Sequence, residues 1–172
     1  QRFDQFDGKM NIEKSQFLRY QIIFLGHVIS EKGITMDPEK VRTIQNFQTP
    51  RNKKQIQSFL GFINFYRKYI QDLSKYTEKL SQLTKKNVEW KWEEEQQQVF
   101  ETIKNKFLQD IIIEYPDFTR EFYLSTDASK THLGAELFQI NKDGQHRTLG
   151  FTSRKLKETE QHYYTTELEL PA

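Results

Sequence analysis

The 172-residue sequence contains no cysteine. That excludes disulfides and cysteine-based zinc sites and fits an intracellular setting. It has no run of about 18 apolar residues, so no membrane span is expected. No glycine-rich phosphate loop is present, nor any repeat or low-complexity segment. No Asp-Asp pair occurs either, so the paired aspartates of a polymerase palm are missing. The first ten residues, "QRFDQFDGKM", lack both an initiator methionine and an apolar signal region, and the chain is expected to be a piece of something longer.

What is there is aromatic and charged. Fourteen Phe, 8 Tyr and 2 Trp can fill a sizeable core, while charged residues make up 29% of the chain. A net charge of +2 hides a gradient. Residues 37–89 carry 11 Lys and Arg against 5 acids, and residues 114–172 carry 7 against 10. A basic middle beside an acidic end suits one part that grips a polyanion and another that holds a cation, or two ordinary solvated surfaces.

Residues 17–30 read as two short strands around a turn near Arg19–Gln21, followed by a turn at Gly33. "MDPEKVRTIQNF" opens a helix with Asp37 as N-cap, Pro38 in the first position, and Val41, Ile44 and Phe47 inward. Residues 52–70 form the clearest helix, with Ile56, Phe59, Leu60, Ile63, Tyr66 and Ile70 at 3–4 spacing. Gly61 inside it costs about 1 kcal/mol relative to Ala, which points to close approach by another helix or a nucleic-acid backbone. Further helices are expected over 73–85 and 93–108. From Ile111 the period becomes 2, with strands at 111–113, 120–126, 132–140 and 146–153 and a turn at 141–144.

Asp127 ends an apolar strand, "YLSTD", and a second acidic patch with Glu167 and Glu169 follows. Hard divalent cations take such oxygen ligands, and nucleases use them in pairs; spacing alone leaves Asp127 open between metal ligand and turn cap. Lys53, Lys54, Arg67 and Lys68 sit near the two ends of the 52–70 helix and suit phosphate contact, while its aromatics are mostly core. His27 lies on an apolar strand and reads as a core or edge histidine rather than a ligand.

Five segments in order carry a resemblance. "KSQFLRYQIIFLGHVISEKGITMDPEKV", "SFLGFINFYRKYI", "VFETIKNKFLQD", "YPDFTREFYLSTDASKTHLGAELFQ" and "FTSRKLKETEQHYYTTELEL" resemble the Pol polyprotein of gypsy-type LTR retrotransposons, from the end of the reverse transcriptase palm into ribonuclease H. The resemblance implies an α+β chain: a β-hairpin end of the palm (1–36), a helical thumb (37–89), a connector helix (90–113) and the N-terminal part of a ribonuclease H-like mixed sheet (114–172). It implies that Phe24, Leu25, Gly26 and His27 form the primer grip and that Gly61, Asn64 and Arg67 track the duplex. It gives Asp127 and Glu169 as candidate catalytic carboxylates in a site that takes two Mg²⁺ ions when complete. One departure is Glu136, in "GAEL", where the family usually has an apolar residue.

The parent activities so implied are RNA-directed DNA synthesis and Mg-dependent cleavage of RNA in RNA–DNA hybrids. The expected partners are hybrid or template–primer duplex and the remainder of the Pol polyprotein, with no membrane. With two of four metal ligands, the chain alone is expected to be inactive. The alternative is a domesticated, non-catalytic module for nucleic-acid binding or protein interaction. Either way the expected location is intracellular, in a cytoplasmic particle or the nucleus.

Overall fold

The computed structural model describes residues 11–109 and 111–162. Three short strands, β1 (Gln21–Phe24), β2 (His27–Ser30) and β3 (Gly33–Met36), form one antiparallel sheet. Helices α1 (Pro38–Gln45), α2 (Lys53–Phe65), α3 (Leu73–Gln82) and α4 (Glu94–Lys106) follow. A second sheet holds β4 (Tyr123–Ala128), β5 (His132–Ile140) and β6 (His146–Lys155), antiparallel in the order β4-β5-β6. The architecture is α+β, as expected. The mixed character expected of the second sheet would need a parallel strand beyond these three.

The first hairpin turns at Leu25–Gly26, not near Arg19–Gln21. Both residues have positive φ (49° and 78°), the backbone of a two-residue type I′ turn, whose twist matches the flanking strands. The expected strand at 111–113 shrinks to one bridge, Ile113 to Ile34, closed by two backbone hydrogen bonds of 2.8 and 2.9 Å. Gly33 permits this approach, since a Cβ there would lie 2.5 Å from the Ile113 carbonyl oxygen. Residues 33–36, read as a turn leading to a helix, instead add the third strand.

Local signals start the helices. Asp37 caps α1 by accepting from the Glu39 amide at 2.9 Å, and Asn52 caps α2 by accepting from the Gln55 amide at 3.0 Å. Helix α2 buries Ile56, Phe59 and Ile63, the expected stripe. It stops five residues before Ile70, where i→i+3 bonds such as Tyr69 N–H to Tyr66 C=O (3.0 Å) tighten the chain into a 3₁₀ turn, Arg67–Tyr69. That turn swings Tyr69 into the interior. One core joins the first sheet to all four helices, with Phe59 packed between Phe47 (5.2 Å between ring centroids) and Phe100 (4.7 Å).

The second sheet docks onto α3 through polar groups. The Ser74 amide donates to Ser153 Oγ at 3.0 Å. Glu78 pairs with Lys155 and approaches His132 Nε2 at 3.3 Å. Glu136 is drawn in rather than turned to solvent: its carboxylate accepts from Thr148 Oγ1 at 2.8 Å and stands 3.5 Å from His146 Nε2.

Candidate functional site

Two clusters hold the candidate residues. The first is the tip of the β1–β2 hairpin. Phe24 and Leu25 stand out at 57% and 71% exposure, a high value for apolar residues on a rigid turn. Behind them the turn is pinned to the end of α2. Tyr66, only 3% exposed, donates its hydroxyl to the Gly26 carbonyl at 3.2 Å. His27 stacks on Phe65 at 5.3 Å between ring centroids, and its Nδ1 is hydrogen-bonded to the Tyr69 hydroxyl at 3.0 Å. Burial, with help from nearby Lys68, pushes the His27 pKa down; burial also pushes the Tyr69 phenol up. His27 is thus a half-buried structural histidine, and among the described residues no group of three His, Cys, Asp or Glu gathers for a metal.

The basic residues of α2 and of the 3₁₀ turn after it divide. Lys53 is committed internally, its ammonium donating to the Lys85 carbonyl at 2.7 Å. Lys54 and Arg67 are exposed, and the Lys68 ammonium lies 5.1 Å from the Tyr69 ring centroid, a cation–π distance. Gly61, Asn64 and Arg67 line a cavity of about 360 Å³ together with Ser74 and Ser153. An adjoining cavity of about 370 Å³ shares Arg67 and Ser153 and extends over Gly134 and Arg154. Nothing lies within 4 Å of a Cβ built on Gly61, so no protein neighbour among the described residues accounts for that glycine.

The second cluster surrounds Asp127, next to last in β4, whose side chain is 65% exposed. Its Oδ2 lies 3.0 Å from Lys75 Nζ, and Asp72 Oδ2 takes the same ammonium at 3.3 Å. The hydrogen bond to Asp127 raises the Lys75 pKa most, against the effect of partial burial, so the ammonium stays charged at neutral pH. Asp72 stands at the start of α3 with φ 55° and ψ 28°, left-handed geometry that costs a non-glycine residue on the order of 1 kcal/mol. It makes no capping bond. Instead its carboxylate rests on Gly134, where a Cβ would lie 2.4 Å from Asp72 Oδ1. Gly134 is the register partner of Asp127.

The donors are of the right kind for a hard cation: two carboxylates from different elements already converge on one positive charge. Glu169, and Glu167 beside it, lie outside the described residues. Sequence reasoning missed Asp72 and Lys75, which reach Asp127 across more than 50 residues of chain. Gly134 was a readable signal, because a glycine inside a strand often marks close approach of another group.

Residues 92–172 match the RNase H-like domain found in reverse transcriptase. That part of the chain is similar to this family. The RNase H-like segment carries Asp127, and the similarity continues through the helices that precede it. The chain is 36% identical over 168 residues to the retrovirus-related Pol polyprotein from transposon 412 of Drosophila melanogaster, covering 98% of this chain and 14% of that protein. It is 37% identical over 175 residues to the Pol polyprotein from transposon opus of the same fly, covering 95% of this chain and 17% of that protein. With the transposon Tf2-3 polyprotein of Schizosaccharomyces pombe it shares 34% identity over 163 residues, covering 95% of this chain and 12% of that protein. The chain thus spans less than a fifth of each of these polyproteins.

Among solved structures, the foamy viral protease-reverse transcriptase in complex with RNA/DNA hybrid superposes with a TM-score of 0.76 at 28% identity, over 92% of this chain and 22% of that one. The same viral protein in complex with dsDNA gives 0.76 at 27% identity, over 90% of this chain and 32% of that one.

Proposed function

We propose that the chain comprises the palm end (1–36), thumb (37–89), connector (90–113) and N-terminal ribonuclease H portion (114–172) of a gypsy-type Pol polyprotein. In this reading it holds RNA–DNA hybrid or template–primer duplex for synthesis and for cleavage of the RNA strand, in concert with the rest of that polyprotein. An intracellular place, in a cytoplasmic particle or the nucleus, goes with the same proposal.

The observation that carries the reading is a convergence at one seam. Asn64 from α2 and Arg67 from the 3₁₀ turn after it line the same cleft system as the Gly134–Ser153 strand pair, and Gly134 pairs with Asp127. In this reading a side chain that meets phosphate lies one strand pairing away from a candidate metal-binding carboxylate. Phe24, Leu25, Gly26 and His27 would position the primer end, and Lys54, Arg67 and Lys68 would meet phosphates, with Lys53 bracing the helix from within. Gly61 would let a backbone approach closely.

RNase H-like reverse transcriptase domains use divalent metal ions, and here Asp127 and Glu169 would hold Mg²⁺. The ion supplies positive charge that activates water and steadies the leaving oxygen. The chain's own residues hold the substrate phosphates and fix the carboxylate. A second reading, a non-catalytic nucleic-acid-binding module, draws on one observation: the carboxylate of Asp127 is already neutralised by Lys75.

Fluorescence anisotropy with a labelled RNA–DNA hybrid tests the shared part. Three phosphate contacts give a log–log salt slope of roughly −2 to −3. No binding at low salt sinks both readings. Cleavage of the hybrid RNA in Mg²⁺, abolished by Asp127→Asn, sinks the second.

A further inference from the structure

The geometry points to Lys75 as a built-in cation that competes with a divalent metal ion for the Asp127 carboxylate, so that the α3 end of the helical unit gates the candidate site. The inference rests on Asp127 being a metal-binding carboxylate. Four structural features converge on it. The ammonium is held by two carboxylates from different parts of the fold, Asp127 at 3.0 Å and Asp72 at 3.3 Å. Asp72 adopts left-handed backbone geometry and caps nothing, so its position serves the contact rather than the helix. Gly134, on the strand beside Asp127, has no room for a side chain because the Asp72 carboxylate occupies that space. The neighbouring Ser74 amide is fastened to Ser153 at 3.0 Å, which fixes the first turn of α3 over the sheet.

A carboxylate with an ammonium on one oxygen offers a metal a weakened field. A divalent ion entering the site meets the lysine's charge at close range. It must either displace the ammonium or tolerate it. With the lysine released, both carboxylates become available to the ion. Hard cations take several oxygen ligands, so Asp72 is then a second ligand contributed by the helical unit. A nucleic-acid phosphate entering the adjoining cleft at Arg67 and Ser153 draws the Lys75 ammonium off Asp127 while α3 keeps Asp72 in place. Substrate arrival and metal capture are coupled by this contact.

The test is a Mn²⁺ titration of the 172-residue chain, followed by paramagnetic broadening of the Asp127 and Gly134 amide resonances. Lys75→Met keeps the unbranched apolar stem, one atom shorter, and removes the charge. Removing one unit charge about 4 Å from a divalent ion, at a site as exposed as this one, tightens binding about tenfold or more. Lys75→Arg keeps the charge and stays within about twofold of the unaltered chain. Equal midpoints for the unaltered chain and Lys75→Met overturn the proposal, as does a gain in Lys75→Arg equal to that in Lys75→Met. Asp127→Asn separates the two levels of the reading. If broadening at these amides survives Asp127→Asn in the Lys75→Met background, Asp127 is not the ion's ligand and the site assignment itself fails. If Asp127→Asn removes it, the site assignment stands and the midpoints decide the role of Lys75.

Discussion

Replacing Gly26 by alanine is expected to cost about 2–5 kcal/mol of stability, and the cost has two separable parts. The first is backbone: Gly26 has a φ of +78°, and left-handed geometry costs an L-residue roughly 1–2 kcal/mol. The second is local: the new Cβ would lie 2.5 Å from the Tyr66 hydroxyl oxygen. The ring must then shift, and its hydroxyl loses its bond to the Gly26 carbonyl. Tyr66 is almost fully buried, so an unpartnered hydroxyl there costs about 1–3 kcal/mol.

Gly144 supplies the control. Its φ is +75°, yet a Cβ there meets nothing within 4 Å. Gly144→Ala therefore carries the backbone cost alone. Urea denaturation followed by circular dichroism gives both values, and their difference isolates the Tyr66 contact. Tyr66→Phe removes the hydroxyl oxygen, so combining it with Gly26→Ala recovers about 1 kcal/mol or more of that difference relative to additivity. Equal losses for Gly26→Ala and Gly144→Ala would refute the account of the hairpin as pinned by Tyr66.

Two further outcomes follow from packing and charge. Phe59→Ala, at a fully buried ring between Phe47 and Phe100, is expected to cost about 3–5 kcal/mol, read from the shift of the same urea transition. In acid, Asp117 and Glu160 are two of the sensitive groups. Hydrogen bonds from Thr119 and then Arg120 hold the Asp117 carboxyl down to about 2, and hydrogen bonds from Arg154 and the Lys157 amide hold Glu160 down to about 2. Both are depressed carboxylates, so their stabilisation is whole above about pH 4.5 and is lost as the pH falls towards 2. Carboxyl carbon shifts in an NMR titration should show both midpoints near pH 2; midpoints near 4 would remove the two contacts from solution.

Much of the helical half and of the β5–β6 hairpin was legible because the determinants are local. The stripe of Ile56, Phe59 and Ile63, the Asp37 cap and the Asp143–Gly144 turn each lie within a few residues of the feature they specify, and β5 runs from His132 to Ile140 as the alternation indicates. The first hairpin was not legible: its turn puts Leu25 at positive φ, a position leucine does not advertise, and Tyr66, forty residues on, holds the Gly26 side of it. Helix α2 ends early for a similar reason, since Tyr69 is drawn in towards His27. The candidate site follows the same division. Asp127 was visible at the end of an apolar strand, whereas Lys75 becomes part of the site only when α3 meets the second sheet.

Helix α3 has two faces with different chemistry. Leu73 and Leu80 are sealed in the shared core, while Ser74, Lys75 and Glu78 reach the second sheet through hydrogen bonds and charge. Greasy contacts of the first kind let go only when the protein unfolds; wet contacts of the second kind exchange with water and ions at little net loss. Added salt therefore weakens the exposed Lys75–Asp127 pair first and leaves the apolar face of α3 unchanged.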